Sequence, residues 1–167
     1  MKICRHALFR APVFLAFLLL ILVTFAAPHA YGAEMLAVAR DGVFLRDAPN
    51  MKGKALCTYA KGLPLEITGV QDDWRKISDF EGDGGWLRAA DLNNEPHMVV
   101  RAKKESGEKG RVDIRKGPGE EYEVVGEAVY GAVFSTLEQK LGWVKVQHVE
   151  PGMKVEGWVK RNLLWGF

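Results

Sequence analysis

The chain has 167 residues, 48% of them hydrophobic, with 23 basic and 21 acidic side chains and a formal net charge of +2. That length allows one or two domains. A charge so near balance excludes nucleic-acid binding as a main function.

Residues 1–32 read as a secretory signal. Lys2, Arg5 and Arg10 precede an apolar run over residues 11–27, broken only by Pro12 and Thr24. Ala30-Tyr31-Gly32 then places small residues at the −3 and −1 positions of a signal-peptidase site, so cleavage is expected after Gly32 or, less well, after Ala33. An uncleaved anchor is the alternative, but a run of about 17 residues is short for a spanning helix. Cys4 lies before the run, where a lipid-modified cysteine would follow it. Without the leader 20 basic residues face 21 acidic ones, and the product is expected in the periplasm or elsewhere in the cell envelope. Cys57 is then the sole thiol, which leaves no intramolecular disulfide; a small, semi-buried, inert position is expected for it.

After the leader, residues 35–40 alternate apolar with small or polar side chains, and Asp41-Gly42 supplies a hairpin turn before Val43-Phe44-Leu45-Arg46. Ala48-Pro49-Asn50, with Gly53, forces the next turn, residues 55–59 suit a strand, and Lys61-Gly62 turns the chain again. Leu63, Leu65 and Ile67 recur at the period of a half-buried strand, with Pro64 marking a strand start or an edge. Asp72-Asp73 is a polar turn, after which Trp74 and Lys76 share one strand face and Arg75 and Ile77 the other. Gly82-Asp83-Gly84-Gly85 closes a hairpin into Trp86-Leu87-Arg88, and residues 89–92 fit one helical turn.

Asn93-Asn94-Glu95-Pro96 predicts a boundary between domains at 33–94 and 95–167. Met98-Val99-Val100 opens the second domain, whose first loop is seven residues longer than its counterpart. Lys103, Lys104, Glu105, Glu108, Lys109 and Arg111 make it a mobile surface loop by expectation. A tight turn at Arg115-Lys116-Gly117-Pro118-Gly119 leads to strands over 124–130, 132–139 and 143–149, and a longer turn at Glu150-Pro151-Gly152 precedes Gly157-Trp158-Val159. The apolar end, residues 163–167, predicts docking against the body. No stretch after the leader has apolar residues at helical spacing over 11 or more positions, while turn signals recur every 8 to 12 residues. That pattern predicts an all-β barrel or sandwich.

The chain also repeats itself. Pro49, Gly62, Trp74, Trp86 and Leu92 are spaced by 13, 12, 12 and 6 residues, and Pro118, Gly131, Trp143, Trp158 and Leu164 by 13, 12, 15 and 6. One offset of 69 holds without a gap from Val43/Val112 to Ile77/Val146, and the matches fall on turn residues and tryptophans. Two domains of about 60 residues are each marginal alone, so the copies are expected to touch.

Leu45-Arg46-Asp47-Ala48-Pro49 and Ile114-Arg115-Lys116-Gly117-Pro118, the glycines Gly62 and Gly131, the pairs Trp74/Lys76 and Trp143/Lys145, and the closing Gly85-Trp86 and Gly157-Trp158 together resemble the bacterial SH3-like (SH3b) domain family. The resemblance covers nearly all of the chain after the leader. It implies two small SH3-like β-barrels in tandem, each of five or six strands, binding peptides or cell-wall polymer. Phe44, where the family often has Asn, and Ala48, for its usual Gly, depart from the pattern; the second copy has Asp113 and Gly117 there.

The residue inventory favours binding over catalysis. After the leader there are one Cys, two His (His97 and His148) and three Ser, with no G-x-S-x-G, H-E-x-x-H or C-x-x-C, so no catalytic residue, metal site or cofactor is expected. Tryptophan offers a large apolar area and one N–H donor, which suits peptide or sugar contact. The candidate ligand contacts are Arg46, Trp74, Trp86, Arg115, Tyr122, Trp143 and Trp158. Each tryptophan also has a structural role open to it, as a plug for a small barrel, and each arginine as half of a strand-end ion pair. Leader, repeat and aromatic content together predict an exported, non-enzymatic module that recognises peptidoglycan or its stem peptides. An assembly module that holds another envelope protein is the alternative.

Overall fold

The computed structural model describes residues 34–104, 107, 109–150 and 153–167; the expected leader and cleavage site lie outside them, as do Glu105, Ser106 and Glu108 of the long loop and Pro151-Gly152 of the turn expected after Glu150. The first copy contributes β1 (Met35–Val38), β2 (Val43–Arg46), β3 (Ala55–Tyr59), β4 (Pro64–Gln71), β5 (Trp74–Ser78), β6 (Gly84–Arg88) and β7 (Leu92–Asn93). The second contributes β8 (His97–Val100), β9 (Arg111–Arg115), β10 (Val124–Val129), β11 (Val133–Lys140), β12 (Trp143–Glu150), β13 (Met153–Lys160) and β14 (Leu164–Gly166). Strand order is β3-β2-β6-β5-β4-β1-β7 in one sheet and β10-β9-β13-β12-β11-β8-β14 in the other. The connectivity is the same in both, so the sequence repeat is a repeat of architecture: two SH3-like barrels in tandem.

Each sheet has seven strands rather than five or six. After the 3-10 turns at Ala89–Asp91 and Arg161–Leu163 the chain re-enters the sheet, so that Leu92 pairs with Val38 and Leu164 with Val100. The expected docking of the C-terminus follows from this strand, and the Phe167 amide also donates to the His97 carbonyl at 3.0 Å.

Curvature comes from irregularities at matching places. Between β2 and β3 the register slips so that Leu56 is left unpaired, as is Val125 between β9 and β10. Thr68 and Leu137 are skipped in the same way between β4 and β5 and between β11 and β12. Each extra residue bends its strand and raises the local twist, which lets a sheet of short strands wrap around its own apolar side. Gly62 and Gly131 open β4 and β11 with φ of +82° and +86°, a conformation that a Cβ would strain.

The first core gathers Val38, Val43, Leu45, Leu65, Ile77 and Leu87, and the second Val112, Ile114, Phe134, Val144, Val146 and Val159. They are not separate. Along β8 the side chains alternate, with Met98 and Val100 in the second core and Val99 packed among the residues of the first. Val133 beside Phe134, and Trp165 beside Leu164, do the same. Val133, Val99 and Trp165 lie opposite one another across three strands. The corresponding row of the first barrel is Pro64, Ala37 and Asn93, of which Pro64 and Ala37 are buried. At the rim Phe80 tilts against Tyr130 with ring centroids 5.5 Å apart, and the Lys109 ammonium reaches Glu81 at 3.2 Å.

Because Val99 lies in a core that its own sheet does not enclose, Val99→Ala is expected to destabilise the protein by about 2 kcal/mol and to shift one common unfolding transition. Urea titration followed in parallel by tryptophan fluorescence and far-ultraviolet circular dichroism checks this. Two separate transitions, with only one displaced, would show that the barrels unfold independently.

Candidate functional site

Strand alternation sends Leu45, Ile77 and Leu87 inward, which leaves their neighbours on the outer face of β2, β6 and β5. There Arg46 lies opposite Trp86, Trp86 opposite Lys76, and Trp74 opposite Arg88. The second copy repeats the arrangement, with Arg115 opposite Trp158, Trp158 opposite Lys145, and Trp143 opposite Lys160. A Trp flanked by two cations across the strands is therefore built into both barrels.

The glycine before each of these tryptophans has a steric cause. A Cβ on Gly85 would come 2.7 Å from the Arg46 carbonyl oxygen, and one on Gly157 would come 2.6 Å from that of Arg115. Both distances are impossible for carbon, so the Gly-Trp signature records a close backbone approach at the joint between β2 and β6 and between β9 and β13.

The arginines hold the turn that follows them. Arg46 Nη1 donates to the Gly53 carbonyl at 2.7 Å, and Arg115 Nη1 donates to the carbonyls of Tyr122 at 2.9 Å and Glu120 at 3.0 Å. Gly53 and Tyr122 are equivalent residues in the two copies. Among the described residues the expected strand-end ion pair forms at Arg115 and not at Arg46: Arg115 Nη2 meets Asp113 at 2.7 Å, while the Arg46 guanidinium lies 6.0 Å from the centroid of the Phe44 ring.

A cleft opens at the same place on each barrel. In the first copy it is about 100 Å³ and is walled by Arg40, Phe44, Arg46, Met51, Trp74 and Arg88. In the second it is about 320 Å³ and is walled by Arg111, Asp113, Arg115, Glu120, Trp143 and Lys160. Phe44 corresponds to Asp113, Met51 to Glu120 and Arg88 to Lys160, so at two positions of the lining an apolar side chain in one copy is an acidic one in the other. Arg40 and Asp91, both in the wall of the first cleft, bridge at 2.7 Å. In the second, the Lys160 ammonium lies 5.9 Å from the centroid of the Trp143 ring and pairs with Glu120. The hydrogen bond and charge of Lys160 hold the Glu120 carboxyl below its usual range.

Of the residues singled out from the sequence, the first cleft unites Arg46 and Trp74, and the second Arg115 and Trp143. Trp86 is half-buried between its two cations, and Trp158 is buried, with 8% of its surface exposed. Tyr122 is exposed but stands outside the cleft, its ring lying over Gly117 so closely that a Cβ there would be 2.5 Å away. Arg88, Lys160, Asp113 and Glu120 were not anticipated. A signal for two of them exists, since a basic residue stands two places after the closing Gly-Trp tryptophan in both copies.

Two further positions differ from expectation or were unforeseen. Cys57 is exposed, because β3 is an edge strand beside a bulge, and partial desolvation holds its thiol above the usual range. Asp79 is buried at the β5–β6 turn, where it accepts from the Tyr59 hydroxyl at 2.9 Å and from the amides of Glu81 and Asp83. Among the described residues no group of three or more His, Cys, Asp or Glu could hold a metal ion.

Two curled sheets of one connectivity, each with an aromatic cleft beside the same arginine, define a tandem SH3-like barrel module. A family model described as bacterial SH3 domain matches residues 39–94 and 108–166, and the chain belongs to that family. Over 140 residues it is 26% identical to "Putative N-acetylmuramoyl-L-alanine amidase YrvJ" of Bacillus subtilis (strain 168), a match that covers 81% of this chain and 26% of that protein. The chain thus spans about a quarter of that relative's length. Among solved structures it is similar to an NlpC/P60 family protein from Bacillus cereus ATCC 10987, at 14% identity and TM-score 0.35, covering 80% of this chain and 56% of that one. It is also similar to NlpC2 from Trichomonas vaginalis, at 9% identity and TM-score 0.34, covering 81% and 49%.

Gly157→Ala is expected to cost more than about 2 kcal/mol, since the new methyl meets backbone rather than a movable side chain. Chemical denaturation checks it; a loss of under about 0.5 kcal/mol, the range of surface changes, would mean that the joint between β9 and β13 can open freely.

Proposed function

We propose that this protein is an exported, non-enzymatic tandem SH3-like module that binds peptidoglycan or its stem peptides. The observation that carries this reading is the recurrence, on both barrels, of a cleft that sets an indole among cationic side chains. Such a surface suits a polymer with apolar ring faces and free carboxylates. The relative named as an amidase of N-acetylmuramoyl-L-alanine supports the same ligand class, because the likeness falls on a chain made of SH3-like repeats.

The arrangement of side chains supports binding rather than bond cleavage. The Ser135 hydroxyl and His97 Nε2 approach to 3.4 Å, but they lie at the seam of the barrels, in a different hollow from the two clefts, and His97 Nδ1 is turned to the Glu95 carbonyl. Retention of the leaderless protein on purified sacculi is expected, without release of soluble fragments from labelled peptidoglycan. Loss of the protein to the wash, while a known wall binder is held in parallel, would sink the reading; release of fragments would convert it to a hydrolase.

A second reading has one observation in its favour. Strand β10 is an edge, and it exposes Val124, Val125 and Val129, which suits addition of a strand from a partner protein. Capture from cell envelopes distinguishes the two, since a protein prey free of wall fragments would favour assembly.

A further inference from the structure

The two clefts are equivalent in place and unequal in content. In the first, Phe44 and Met51 stand where the second has Asp113 and Glu120, and the Arg40–Asp91 bridge forms part of the wall, leaving about 100 Å³. In the second, about 320 Å³ stays open and the cations are already matched with carboxylates. Asp113 sits on Arg115 at 2.7 Å, and Glu120 sits on Lys160 beside the Trp143 indole.

These two carboxylates differ in how firmly they are held. Asp113 is two residues from Arg115 on the same strand, and that guanidinium is fixed further by the Glu120 and Tyr122 carbonyls. Glu120 projects from a turn, with 70% of its side chain exposed, and meets Lys160 from 40 residues away. An exposed pair of two long side chains is weakly held and exchanges readily. Room for a longer ligand lies next to it, because a second hollow of about 630 Å³ shares Trp143 and Lys160 and continues past Arg101 and Trp165.

We propose that the second barrel is the copy that reads the ligand, and that Glu120 keeps the place of a ligand carboxylate, which takes over Lys160 above the Trp143 indole on binding. This rests on the wall-binding reading and adds to it the copy, the recognised group and the displaced side chain. The ligand chemistry is that of a peptide carrying free carboxylates, which the chain's own Asp and Glu already mimic on Arg115 and Lys160.

Calorimetric titration of the leaderless protein with a synthetic wall tripeptide, carboxylates free or all converted to amides, tests it. Lys160→Met is expected to weaken binding of the free acid about tenfold, Lys160→Arg to restore most of it, and Glu120→Gln to strengthen it severalfold by removing the competitor. The amidated peptide is expected to bind wild type at least tenfold more weakly than the acid and to be indifferent to Lys160→Met. Lys52→Met, at an exposed position outside both clefts, is expected to leave affinity within twofold, and Arg88→Met, the equivalent change in the first copy, to weaken it less than Lys160→Met does. Weaker binding by Arg88→Met with none by Lys160→Met would overturn the assignment of the copy, and weaker binding by Glu120→Gln would overturn its role as a competitor. The same variants on sacculi separate this inference from its premise. Wild type retained equally with Lys160→Met overturns the inference alone, whereas wild type not retained at all overturns both.

Discussion

The structure depends on the alternation of three residues in one short strand. Met98 and Val100 point into one core and Val99 into the other, so β8 is a wall between two chambers and belongs to both. A barrel of about 60 residues buries too little of its own surface to be comfortably stable. Sharing β8, and repeating the device at Val133/Phe134 and Leu164/Trp165, adds apolar contact for each barrel that neither sheet supplies from within.

Function is layered on a frame that tolerates exchange. The close approach of Gly85 to Arg46 and of Gly157 to Arg115, the arginine clamps on Gly53 and Tyr122, and the paired bulges are the same in both copies. They fix where the cleft lies. What fills it is free to change, and Phe44 and Met51 have diverged from Asp113 and Glu120 without disturbing the sheet beneath. The departure at Phe44, visible in the sequence, is thus a difference in the wall of a cleft.

Much of the frame was legible in the sequence because it rests on residues with few conformational choices. Glycines at positive φ, prolines at turns and inward residues at period two are constrained by the backbone itself, so their spacing reports the architecture directly. The seam was harder. Met98-Val99-Val100 is a continuous apolar run, a pattern that a strand buried on both faces produces, yet nothing in it says what lies on the second face. The clefts were half legible: Arg46/Arg115 and Trp74/Trp143 recur at the offset of 69, whereas Arg88 and Lys160, each two places after the closing tryptophan, lie beyond the second copy's three-residue insertion, where that offset no longer pairs them. Arg46 shows the limit from another side. An ion pair was the natural expectation, and the partner is a backbone carbonyl, which no sequence displays.

The rows at the seam have a geometric corollary. Val133, Val99 and Trp165 occupy in the second barrel the places held by Pro64, Ala37 and Asn93 in the first, and a Cβ on Gly166 would come within 3.1 Å of Pro64. The exchange runs one way among the described residues: Val99, Val133 and Trp165 join the first core, while the second core takes in no residue of the first barrel. Losing the second copy would therefore strip the first of part of its filling, whereas losing the first would leave the second core whole and uncover only its outer row.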